Sequence, residues 1–181
     1  MSTQTHILTI RNSEIIYQVE ARTFKFGKAH DGMATGIGRS KVAYTDKLVN
    51  NVKLTDLDYD RNMVYMWIKI AINNIYMVFH KYTCNMFQNY ETVTTSGSGS
   101  ENAVSSAQSD DNLVTYIYFV LSSKWPSYNA SGFDLDCKEY IINKVISEFL
   151  SLSLPREAEL YAAKAMQALK DAERKLYFKT A

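Results

Sequence analysis

The chain has 181 residues, enough for one ordinary domain with its own core and too few for a second full one. Twenty Lys and Arg stand against nineteen Asp and Glu, so the near-zero net charge argues against a protein whose main work is coating nucleic acid or an anionic membrane. The two cysteines, Cys84 and Cys137, are far apart and lack Cys-x-x-Cys spacing, which suits a reduced compartment better than a disulfide scaffold.

The first residues, MSTQTHILTIRN, lack the basic region, apolar run and small-residue cleavage site of a secretion signal, so none is expected. Ser13 then precedes EIIYQVEARTFKF, where Ile15, Ile16, Val19, Thr23 and Phe26 fall near helical spacing. This predicts a first helix, with Gly27 as its stop. Residues 28–40 are glycine-rich and read as a flexible loop, and a short helix is expected at 41–50. Between Arg11 and Lys53 eight Lys/Arg face four Asp/Glu. A solvated face is the plain reading of that excess, and a nucleic-acid-binding surface is the alternative.

Asp56, Asp58 and Asp60 lead into a long periodic run. Val64, Trp67, Ile68, Ala71, Ile72, Ile75, Val78, Phe79 and Tyr82 keep the three-and-four spacing of one broad apolar face, which predicts the central helix. Tyr65, Met66, Ile70, Tyr76 and Met77 lie off that stripe, so more than one side of this helix is expected to be covered by protein. Lys69, Asn73 and Asn74 interrupt the most apolar stretch, and a membrane span needs about 20 mostly apolar residues. No membrane partner is expected.

Cys84–Thr95 and Leu113–Leu121 are rich in β-branched and aromatic residues and read as strands. The Ser/Gly/Asn/Asp-rich segment between them has too little apolar surface to repay ordering. The expectation is therefore a long-looped β-hairpin inserted at 84–121, projecting from the helices, with a flexible loop at 94–112. Its free edge offers a place for a neighbouring chain's strand. Trp125-Pro126 marks a turn, after which Asp134 or Asp136 is expected to cap a helix running through Leu152. Pro155 fits the first turn of a last helix over 155–179. Acidic Glu157 and Glu159 near its start and basic Arg174, Lys175 and Lys179 near its end agree with its dipole. Ala158, Tyr161, Ala162, Ala165, Leu169, Ala172 and Leu176 make one small-residued stripe, so the last two helices are expected to pack closely as an antiparallel pair. The whole reads as one domain over 1–181, a mainly α bundle of about four helices with an inserted β-hairpin.

Chemistry is harder to nominate. Asp56-x-Asp58-x-Asp60 opens like a calcium loop, but Arg61 and Trp67 stand where that loop needs glycine and a bidentate glutamate. His80 and Cys84 have metal-ligand spacing for a shared helix face, yet His6, His30 and Cys137 supply no matching pair. Gly36-Ile37-Gly38 lacks the third glycine of a dinucleotide turn. No nucleophile motif stands out, so no enzyme, metal or cofactor is expected. Tyr116, Tyr118 and Phe119 resemble an aromatic platform for bases, but residues 84–121 contain no Lys or Arg to make its positive groove.

The segment EYIINKVISEFLSLSLPREAELYAAKAMQALKDAERKLYFK resembles the C-terminal helix pair of virion proteins from phages of Bacteroides-type gut bacteria, including the crAss-like group. The positions that carry this are Ala158, Glu159 and Tyr161, then Ala165 and Leu169, then Lys175, Leu176 and Tyr177. With a short first helix, a long aromatic helix and a looped hairpin before it, the chain is similar to the head–tail connector, or head-completion, proteins of tailed phages. The resemblance implies a neck subunit in the virion, made in the host cytoplasm. It implies a closed ring of about 12 copies that meets the portal and the tail or further neck proteins. Genome DNA would pass through the lumen without sequence-specific binding, which suits a near-neutral chain. The expected interface residues are Tyr116, Tyr118 and Trp125 near the hairpin, and Tyr177 and Phe178 at the end of the last helix. The rival expectation is an intracellular protein-binding adaptor or regulatory module.

Overall fold

The computed structural model describes residues 2–34, 58–91, 110–151 and 154–177. The expected helix at 41–50, most of the loop at 94–112, the latter part of the loop at 28–40, and Phe178 lie outside the described residues. In chain order the elements are β1 (Thr3–Arg11), α1 (Asn12–Ala34), α2 (Asp58–Val78), β2 (Thr83–Tyr90), a 3-10 turn at Asp110–Asn112, β3 (Leu113–Ser122), α3 (Asn129–Leu150) and α4 (Pro155–Leu176). The protein is mainly helical, with four helices and one three-stranded antiparallel sheet among the described residues.

The expected hairpin is present, as part of a larger sheet. Its order is β1-β3-β2, so β3 is the central strand and the β2–β3 hairpin is joined by a strand from the N-terminal region. β1 pairs with β3 from Thr3↔Ser122 to Arg11↔Val114, and β2 pairs with it from Thr83↔Phe119 to Tyr90↔Leu113, with an irregularity between Thr83 and Asn85. The hairpin does not project alone. Three strands with one apolar face can pack as a layer where a two-stranded ribbon cannot. Alternation explains the residues. Leu8, Ile10, Ile117, Phe119 and Leu121 point to the helices and are buried, while Ile7, Tyr116, Tyr118 and Val120 point the other way.

α1 begins directly after β1, at Asn12 rather than after Ser13, and runs through Gly27 to Ala34. The expected stop is thus a helix-interior glycine, which costs roughly 1 kcal/mol against alanine and is tolerated when the helix is anchored elsewhere. Ile15, Ile16 and Val19 supply that anchor in the core. α2 follows the expected periodicity, burying Val64, Ile68, Ala71, Ile72 and Ile75, with Phe79 buried just past its end. α3 starts at Asn129, about one to two turns before the expected caps. Asp134 and Asp136 lie inside it because each has a partner elsewhere in the fold: His6 Nε2 lies 2.7 Å from Asp134 Oδ1, and Lys175 Nζ donates to Asp136 Oδ2 at 2.5 Å.

α4 buries Ala158, Ala165, Leu169, Ala172 and Leu176, the small-residued stripe read from the sequence. Its direction is fixed by contacts at both ends. Ser147 Oγ donates to the Ala158 carbonyl at 2.9 Å, and Lys175 Nζ donates to the Gly132 carbonyl at 3.0 Å, so α3 and α4 are antiparallel. One apolar cluster joins β1, β3 and all four helices, with Met86 of β2 packed at its margin. At its centre Phe119, Phe133 and Phe79 meet edge to face, Phe119 and Phe133 at 5.1 Å between centroids.

Candidate functional site

The face of the sheet turned away from the helices is the feature least explained by folding alone. Register places Ile7 beside Tyr118 and Thr9 beside Tyr116 on β1, and Phe87 beside Tyr116 on β2. Phe87 and Tyr116 stack, with centroids 6.5 Å apart and planes at 29°. Ile7 is 43% exposed, Phe87 52% and Val120 38%. A solvated sheet face normally alternates apolar-in with polar-out, so this run of aromatic and branched side chains facing outward is surplus to the core. Threonines and asparagines, Thr5, Thr9, Asn85 and Asn89, fill the remaining outward positions. Charge enters only at one end, where Arg11 Nε donates to Glu91 Oε1 at 2.8 Å across the sheet. That carboxylate raises the Arg11 guanidinium above its ordinary value, and the pair closes the end of the face. Val114, in register with Arg11, is buried there.

Two of the residues singled out from sequence, Tyr116 and Tyr118, are therefore neighbours on one half-exposed face. Phe119, read with them as an aromatic platform, points inward and is fully buried, because adjacent strand residues face opposite sides. Trp125 lies elsewhere: it is 8% exposed, its indole Nε1 donates to the Lys175 carbonyl at 2.9 Å, and its own carbonyl accepts from Gln4 Nε2 at 2.6 Å. It clamps β1 and the last turn of α4 to the core. Tyr177 is half-exposed after α4, edge-on to Tyr82 at 5.4 Å. Partial burial, with help from the Tyr177 hydroxyl, pushes the Tyr82 phenol up from its ordinary value. Ile7, Phe87 and Val120 were not singled out from the sequence, although the alternation of Thr3, Thr5, Ile7 and Thr9 was a readable strand signal.

Other chemistry-bearing groups are spoken for. His80 and Cys84 do not share a helix face: His80 follows α2, with its Nδ1 2.9 Å from the Met77 carbonyl, and Cys84 stands on β2. Among the described residues no group of three His, Cys, Asp or Glu is placed to hold a metal ion, and no helix is long and apolar enough to cross a membrane. His6 is enclosed by Phe119, Trp125 and Phe133 and faces Asp134. An open groove of about 490 Å³ lies between α1, α3 and α4, lined by Arg22, Glu139, Asn143, Tyr161, Lys164 and Asp171 among others. Its charges are internally matched. Arg22 forms a two-point pair with Glu139 at 2.5 and 2.8 Å and thereby holds that carboxyl below the usual glutamate range, and the Lys164 ammonium lies 4.7 Å from the Tyr161 ring centre. The outer sheet face is thus the region with surface to spare. Compared with models of protein families, with curated proteins and with solved structures, the chain matches none.

Proposed function

We propose that the protein is a structural subunit of a tailed-phage neck, forming an oligomeric ring that joins the portal to the tail and lets DNA pass. The observation that carries this reading is the outward-facing row of Ile7, Tyr116, Tyr118 and Phe87, apolar surface beyond what the monomer core needs. Side chains of this kind are enriched at the centres of protein interfaces. Support also comes from the helical layer, a small bundle in which the alanine-rich α4 packs tightly on α3, in keeping with the C-terminal pattern that suggested connector proteins. The ring would stand between portal and further neck or tail proteins. In this reading the near-neutral chain suits passage of DNA, since each phosphate neutralised adds salt-sensitive affinity.

The test is the mass of the purified protein in solution, alone and mixed with a portal ring, by light scattering with negative-stain imaging. Closed rings, alone or on the portal, are expected. A stable monomer or dimer that ignores the portal would instead fit a protein-binding adaptor using the same sheet face. Replacing Tyr116 and Tyr118 together by Ser is expected to impair assembly while leaving the helical circular-dichroism signal intact.

A further inference from the structure

α2 carries a second apolar side. Met66, Ile70 and Met77 are 47%, 44% and 67% exposed, and they recur at steps of four and seven along the face opposite the buried Val64, Ile68 and Ile75. Lys69 is the only charged residue between Met63 and Phe79. A helix on a protein surface normally turns charged residues to water, so this side has the composition of a contact. We infer that the exposed stripe of α2 in one copy lies on the outer sheet face of the next, so that subunits associate head to tail. This deepens the ring reading above and rests on it.

Three observations favour a second copy as the occupant. The two faces match in chemistry: both have apolar centres, the helix stripe bordered by amides and the single cation Lys69 and the sheet face by amides, hydroxyls and the matched Arg11–Glu91 pair, so neither repels the other. They match in form, since an apolar sheet face is most simply completed by a helix laid across it. The stripe from Met66 to Met77 is about 16 Å long at 1.5 Å per residue, and three strands are about 10 Å across. Finally, the two cannot meet within one chain. The helices lie on the inner face of the sheet, where Phe79, just past α2, meets Phe119, and the sheet itself stands between α2 and the outer face. Joining unlike patches leaves one of each free at every step, so the contact propagates until rotation closes it. A symmetric sheet-to-sheet contact would leave the α2 stripe bare.

Two variants separate the halves: Ile70→Glu on α2, and Tyr118→Glu on the sheet, with Phe87→Glu as a second sheet variant on an edge strand if the first does not fold. Each is expected to weaken self-association by about 30-fold or more, as loss of an interface anchor does, without lowering the melting temperature of the monomer. Mixed in equal amounts, an α2 variant and a sheet variant each keep the half the other lacks. They are expected to form a dimer and stop there, as read by sedimentation velocity and native mass spectrometry. Rings that still close from either variant would overturn this contact and leave the neck reading standing. Open filaments of the unaltered protein, with the variants pairing as described, would uphold the contact and sink the closed ring. One variant that self-associates like the unaltered protein while the other stays monomeric would point to a symmetric contact. A monomeric unaltered protein whose Ile70→Glu variant loses stability would show that the α2 stripe packs within its own chain. Both of these last results overturn the inference.

Discussion

Phe119 sits where the sheet, α2 and α3 converge, edge-on to Phe79 at 6.2 Å and to Phe133 at 5.1 Å. Removing its ring takes away the transfer energy of a buried aromatic and leaves a cavity that three separate elements would have to close together. Phe119→Ala is expected to destabilise the protein by about 3–5 kcal/mol, measured by urea unfolding with an unchanged slope. The two thiols differ as sharply. Cys84 is exposed on β2, whereas Cys137 is fully buried in α3, where burial, aided by Asp134 and Asp136, pushes its thiol well above the ordinary value. The thiolate is the reactive species. One equivalent of an aromatic disulfide reagent is expected to react quickly with the native protein, and the second only on unfolding. Two fast equivalents would show that α3 opens readily.

At the scale of elements, α1 is held to α3 by Arg22 and Glu139 and, nearer its start, by Glu14, which accepts from Lys138 Nζ at 2.8 Å. Arg22 lowers the Glu139 pKa in the folded protein. A depressed carboxyl stabilises the fold above its unfolded value, about 4.3 for glutamate, and that stability is lost as pH falls through the lower folded value. The melting temperature is expected to fall below pH of about 4.3, and less steeply in Glu139→Gln. Equal slopes in the two proteins would place the acid sensitivity elsewhere. The elements also show what the sequence discloses and what it hides. α2 and α4 were legible because their burial is periodic over about four to five turns, as Val64 to Phe79 and Ala158 to Leu176 display. The start of α3 was not, because Asp134 and Asp136 look like caps until their distant partners, His6 and Lys175, are known. Of the interface residues, Tyr116 and Tyr118 share the exposed face, while Trp125 is drawn into the core by a hydrogen bond to Lys175 that no local pattern announces.

At the scale of the molecule, one continuous apolar cluster joins β1, β3 and all four helices, so no part of the described residues has a core of its own. A single cooperative transition is expected on heating. Trp125, buried between β1 and the end of α4, makes a local probe of that event. In a Trp67→Phe variant, which keeps Trp125 as the sole tryptophan, its fluorescence and the far-ultraviolet dichroism should change at the same temperature. Separate midpoints would mean that the sheet side and the helical side unfold independently.

The central place of β3 also bears on how the chain is made. Gln4 is bonded to Trp125 across 121 residues, and β1 pairs along its whole length with a strand synthesised long after it. At about 5–20 residues per second, β1 leaves the ribosome several seconds before β3 exists. During that interval Ile7, Leu8 and Ile10 have no sheet to join, and α1 and α2 emerge without the layer they cover. The N-terminal strand is therefore among the last parts of the sheet to find its place, and the nascent chain carries an unpaired apolar strand through most of its synthesis.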